Sequence, residues 1–127
     1  MNKHNNLPVA EFEVMQIIWD NPVPISTVLV HSLAKPEKKW KLQSVMTLLT
    51  RLEKRGFLSS EKRGRERFYI PLVTQEDYLN RETSLFIKRY HKNSLTRLMG
   101  ALFAGGKPKG EDLSEIEAWL KAQQPED

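Results

Sequence analysis

Cysteine is absent from this chain of 127 residues. Disulfides, thiolate metal sites and cysteine nucleophiles are therefore excluded together, and a reducing compartment suits the composition. Long hydrophobic runs are missing too, since none approaches the roughly 20 residues that a membrane-spanning helix needs. The N-terminal MNKHNNLPVAEFE has no apolar stretch of the kind a secretory signal carries. A soluble, cytoplasmic protein without a membrane partner is the expectation. Histidine is scarce, and His4, His31 and His91 lie far apart with no carboxylate at metal-ligand spacing. No phosphate-binding glycine loop and no nucleophile paired with a base can be found. Neither metal, cofactor nor enzymatic activity is expected.

What the chain does have is charge, unevenly distributed. The formal net charge is +4, with an isoelectric point near 9.4. Residues 111–127 hold six acids and one lysine, so the first 110 residues carry 19 bases against 10 acids. Eleven bases and four acids fall between Lys35 and Arg67 alone. Basic charge concentrated in this way is the footprint of a polyanion partner, and nucleic acid fits it better than a membrane surface.

The segment from Trp40 to Ile70 carries the clearest pattern. Leu42, Val45, Leu49 and Leu52 recur at helical spacing and leave Gln43, Ser44, Thr47, Arg51 and Lys54 on the other side. Gly56 is a natural left-handed stop for such a helix. Strands over 57–61 and 67–72 then follow, turning at Gly64 within the basic string Lys62-Arg63-Gly64-Arg65-Glu66-Arg67. Alternation places Phe68 and Ile70 toward the core, with Arg67 and Tyr69 outward.

Upstream, a helix from Pro8 to Asp20 carries Phe12, Met15 and Trp19 on one stripe, widened by Val14 and Ile18. Residues 1–6 read as a disordered lead. Asn21-Pro22-Val23-Pro24 ends that helix, and Ser26 or Thr27 caps a second one presenting Val28, Leu29 and Leu33. Trp19 and Trp40 read as core anchors. Three short helices and a hairpin make a winged helix-turn-helix. The fold class is thus mostly α with a small β-hairpin, in which a DNA-binding domain over 1–73 precedes a helical dimerisation domain over 74–127.

In the winged helix, Gln43 can hydrogen-bond adenine, Ser44 and Thr47 are adaptable, and Lys41 and Arg51 suit guanine or phosphate. Lys54 joins them, while Arg63 and Arg65 suit backbone contacts from the hairpin. An ordinary solvated helix face accounts for any one of these positions, but not for the adjoining basic hairpin. A module that docks on protein without specific DNA binding is the alternative.

Beyond Thr74-Gln75-Glu76-Asp77, which resembles a capping box, the apolar positions outnumber what one helix can cover. Tyr78, Leu85, Phe86, Leu95, Leu98, Leu102 and Phe103 need a surface, with a break expected near His91-Lys92-Asn93. After a linker over 105–110, a last helix over 112–122 presents Leu113, Ile116 and Leu120. A second copy of the chain, sharing one core, is the economical solution.

The strings PVAEFEVMQIIWDN, WKLQSVMTLLTRLEKRGFL and KRGRERFYIPLVTQEDYLNRETSLFIKRYHKNSL resemble the penicillinase-repressor family, the BlaI/MecI group of bacterial regulators with its copper-responsive CopY-type relatives. The resemblance implies a homodimeric repressor of antibiotic-resistance-type genes, with each winged helix entering the major groove of one half of an inverted repeat in double-stranded DNA. It places base and phosphate contacts on Gln43, Ser44, Thr47 and Arg65; Gln43 stands where the family often has Lys. It also implies induction by a sensor metalloprotease that cuts an Asn-Phe bond in the dimer domain. The matching place here is Leu102-Phe103, with Leu102 in place of Asn. The copper-responsive switch uses a C-terminal cysteine cluster, which this chain lacks.

Overall fold

In a computed structural model, residues 6–125 are described. Apart from Asn6, the lead read from the sequence lies outside the described residues. The chain forms two compact units, Met1–Thr83 and Ser84–Asp127. Their division falls inside a long helix, whose first turns belong to the core of the first unit.

That core is assembled from three helices and a sheet. Helix α1 (Val9–Trp19) starts behind Pro8 and buries Val14, Met15 and Ile18. Strand β1 (Ile25–Ser26) inserts Ile25, and Ser26 caps helix α2 (Thr27–Leu33) by accepting a hydrogen bond from the Leu29 amide. Only Val30 of α2 is buried. Val28, Leu29 and Leu33, the expected core face, are exposed, because a two-turn helix hung from the buried Ile25 can turn just one position inward.

Helix α3 (Leu42–Lys54) buries Val45, Leu48, Leu49 and Leu52. Leu42 opens the helix beyond the edge of the core and is exposed, contrary to its place in the sequence pattern. At the other end, Gly56 adopts φ 85°, its amide donates to the Glu53 carbonyl and that of Phe57 to Leu52. This pair of bonds is the Schellman closure that needs a left-handed residue.

Strands β2 (Leu58–Arg63) and β3 (Glu66–Pro71) then form the hairpin, with Gly64 at φ 64° in its turn. The sheet order is β1-β3-β2, all antiparallel, and Ile25 lies opposite Tyr69. The two-residue β1 carried no periodic signal and was not legible as a strand. The phase of β3 is opposite to the sequence reading: Tyr69 is buried and Ile70 exposed. A Thr27 hydrogen bond makes the buried phenol tolerable, while burial pushes the Tyr69 phenol above its ordinary value.

Helix α4 (Gln75–His91) begins with the Asp77 amide donating to Thr74 Oγ1 at 3.1 Å, the first half of the expected cap. Tyr78, read from the sequence as a dimerisation residue, is instead a core residue of the first unit. Its ring lies 5.7 Å from Phe12, 5.8 Å from Trp19 and 5.7 Å from Phe57, and its hydroxyl accepts from the Leu7 amide at 2.9 Å. Trp19 and Trp40 pack against the same core as partly buried anchors, and Trp19 Nε1 donates to the Val73 carbonyl.

In the second unit, α4 ends at His91, and Lys92 and Asn93 both take left-handed backbone angles before Ser94 caps helix α5 (Leu95–Ala104). This is the break that the sequence places there. Helix α6 (Gly110–Gln123) follows. None of the described residues from 84 to 125 is buried. No helix among the described residues is long and apolar enough to cross a membrane.

Candidate nucleic-acid interface

The amphipathicity of α3 sorts its residues into two functional halves. With Val45, Leu48, Leu49 and Leu52 turned into the core, Gln43, Ser44, Thr47, Arg51 and Lys54 are all exposed, as is Lys41 just before the helix. The structure thus brings the six helix-side residues singled out by sequence onto one accessible surface. Arg55 and Glu53, on the margin of that surface, are tied down. Arg55 donates to Glu11 Oε2 at 3.1 Å, and Glu11 is only 3% exposed. This ion pair anchors the C-terminal end of α3 to α1.

The hairpin stands beside α3 and contributes Lys62, Arg63, Arg65 and Arg67, all exposed. Arg63 reaches Glu61 and lies 5.4 Å over the Phe68 ring, which holds its guanidinium close to the strand. Arg65 sits at the turn next to Gly64. Between hairpin and helix runs a cleft of roughly 570 Å³ lined by Thr27, Val28, Leu42, Met46, Thr50 and Glu53 on one side and Lys62, Arg65, Glu66, Arg67 and Tyr69 on the other.

A short network fixes the angle of this cleft. Arg67 Nη1 donates to Ser60 Oγ at 2.8 Å, and Ser60 Oγ donates to Glu53 Oε2 at 2.7 Å. The hydrogen bonds thus join β3, β2 and α3. Sequence reasoning missed this link because its three members are distant in the chain and unremarkable singly. It also passed over Met46, whose position one turn after Gln43 was legible on the helical wheel.

Arrangement and charge suit a polyanion. A convex helix bearing hydrogen-bonding side chains fits a major groove, and cations on an adjacent loop fit the flanking phosphates. Among the described residues, no group of three or more histidines and acids is placed to hold a metal ion.

The apolar residues of the second unit are placed differently. Leu85, Phe86, Leu95, Leu102, Phe103, Leu113, Ile116 and Leu120 are exposed, and Leu98 is half-buried. Trp119 is exposed as well.

Comparison with known proteins agrees with this geometry. The family model described as penicillinase repressor matches residues 7–122. The chain is 28% identical over 116 residues to the penicillinase repressor of Bacillus licheniformis, covering 91% of this chain and 90% of that protein. It is 30% identical over 98 residues to the methicillin resistance regulatory protein MecI of Staphylococcus aureus, covering 77% and 79% of the two chains. An uncharacterised 16.5 kDa protein of Latilactobacillus sakei is 36% identical over 119 residues, covering 94% of this chain and 81% of its own. The solution structure of the DNA binding domain of the repressor BlaI superposes with a TM-score of 0.53 at 35% identity, over 61% of this chain and 94% of that one. On the strength of a match across both units, and of a winged helix shared with a repressor's DNA-binding domain, the chain belongs to the penicillinase repressor family, whose members are transcriptional repressors and not enzymes.

Proposed function

We propose that this repressor works as a cytoplasmic homodimer on an inverted-repeat operator in double-stranded DNA, and that it controls genes of the antibiotic-resistance type. The observation that carries the reading is the pairing of an exposed polar face on α3 with the cations of the adjoining hairpin, both held by one core. Gln43, Ser44 and Thr47 face the base edges, Lys41, Arg51 and Lys54 flank them, and Arg63 and Arg65 hold phosphates. The second copy is supported by the unburied apolar residues of α4, α5 and α6, which leave a large surface for a partner to cover. The DNA-binding domain is residues 1–73, and the dimerisation domain follows, with the start of α4 rooted in the former.

Thr47→Ala is expected to reduce discrimination between specific and random duplexes, whereas Arg65→Ala weakens binding to both. Fluorescence anisotropy on fragments of the protein's own promoter region reads the difference, and equal losses for both variants on both DNAs contradict the division of roles.

The resistance-gene assignment rests on the names of the relatives. Gene expression in a strain lacking this chain, with and without a β-lactam, tests it. Induction by a sensor metalloprotease belongs to the same proposal, with Leu102-Phe103 as the bond to inspect. Mass analysis of the chain from induced cells should show whether that bond is cut.

A further inference from the structure

Two features of the outer face of α3 depart from a simple hydrogen-bonding surface. Met46 is 44% exposed, although it lies one turn from Gln43 on the side of the helix turned away from the core. The hydroxyls of its neighbours Thr47 and Thr50 are already engaged, donating to the carbonyls of Gln43 and Met46 at 3.1 and 2.9 Å. A threonine bonded back to the carbonyl four residues earlier has spent its proton on the helix and turns its methyl group away from that bond. Much of what α3 offers along this arc is therefore apolar.

Single exposed apolar residues are common and usually carry no message. Met46 differs by its surroundings, since it lines the same cleft as Lys62, Arg65 and Arg67. If those cations hold the phosphates of a strand, the neighbouring helix face meets the base edges of that strand. In the major groove, the thymine C5-methyl is the apolar group on display; cytosine offers an amino donor, and the purines offer acceptors and donors. A thioether facing those polar groups displaces water without replacing its hydrogen bonds.

We infer that Met46, with the methyl groups of Thr47 and Thr50 beside it, is a specificity-determining residue that reads thymine 5-methyl groups in the operator. The inference rests on the DNA-binding reading above and deepens it: α3 selects A·T pairs by apolar contact as well as through the amide of Gln43.

The test uses the full chain and a pool of random duplexes prepared in two forms, one with thymine and one with uracil, which lacks only the 5-methyl. Sequences are enriched from the thymine pool, and the affinity of each winning duplex is compared with that of its uracil version. Loss of one buried methyl is expected to weaken binding roughly fourfold, so a duplex with one contact in each half-site loses about 15-fold. Met46→Ala should bind the thymine form with a clearly smaller advantage over the uracil form, and Met46→Gln, which keeps the length of the side chain, should do the same while enriching different sequences. Circular dichroism of both variants checks that the exposed substitution leaves the fold intact. Equal affinity of the parent protein for the two forms overturns the inference while leaving the repressor reading standing, and so does a thymine preference that both folded variants keep at its parent size. Failure to enrich any duplex from the thymine pool overturns the repressor reading, and the inference with it.

Discussion

Tyr78 shows how one side chain changes the meaning of a segment. Counted with its apolar neighbours it reads as part of a dimer face, yet its ring closes an aromatic cluster with Phe12, Trp19 and Phe57. Burial pushes its phenol above the ordinary value, opposed by the hydrogen bond from the Leu7 amide. Tyr69 is shifted in the same direction, also by burial. A phenol whose folded pKa is raised contributes its stability fully below the unfolded value near 10 and loses it as the pH climbs through the folded value. The protein is therefore expected to lose stability above about pH 10, with these two phenols ionising late in an ultraviolet titration. Replacing both by Phe should flatten that alkaline loss.

Glu11 is a second side chain of this kind, since its buried carboxylate depends on Arg55. Arg55→Ala leaves that carboxylate without its cation and should cost about 3 kcal/mol, at the low end of the range because Arg55 is itself partly exposed. Urea denaturation measures it. Glu11→Gln, which removes the charge along with its need for a partner, should cost less.

Among the elements, α3 and the hairpin were the most legible from sequence, because each has a strong local signal. The buried apolar positions of α3 repeat over about two turns, and Gly56 and Gly64 mark backbone angles that few other residues adopt. The wing should be sensitive at that second glycine. No atom stands within 4 Å of a Cβ placed on Gly64, so the cost of Gly64→Ala is conformational, about 1 kcal/mol for its φ of 64°. Gly64→Asn should recover much of that cost, since Asn tolerates the left-handed region. Thermal melts of the two variants make the comparison.

Phase within short elements was illegible for an equally physical reason. In β3 both Tyr69 and Ile70 are good strand residues, and alternation states that one faces inward without stating which. The choice is made by β1, two residues from a distant part of the chain, which pairs Ile25 with Tyr69 and brings Thr27 to the phenol. For α2, Val28, Leu29 and Leu33 gave a plausible stripe, but Val30 is the residue that meets the core. The exposed polar face of α3 could be read from one helical wheel; the Arg67-Ser60-Glu53 link that sets the hairpin beside it required the tertiary fold.

At the scale of the whole molecule, the chain divides its labour and its charge. The first unit has a closed core and a basic surface, whereas the second has helices whose apolar residues remain accessible. Those residues suit a shared core between two copies, and Leu102→Asp with Leu120→Asp should dissociate it. Sedimentation equilibrium reads this as a fall from dimer to monomer while the winged helix keeps its fold.

Electrostatics act at the same scale. Each phosphate contact should contribute a slope of about −0.9 to the dependence of log affinity on log salt. Arg65→Ala in both copies should make that slope shallower by about two contacts.

Whether two winged helices grip one duplex together is decided by sedimentation velocity on a labelled duplex carrying the operator. Protein should add to the DNA in a single step of two chains, twice 14.8 kDa, and come off as salt is raised. A labelled duplex that stays unbound, or that saturates with one chain, contradicts it.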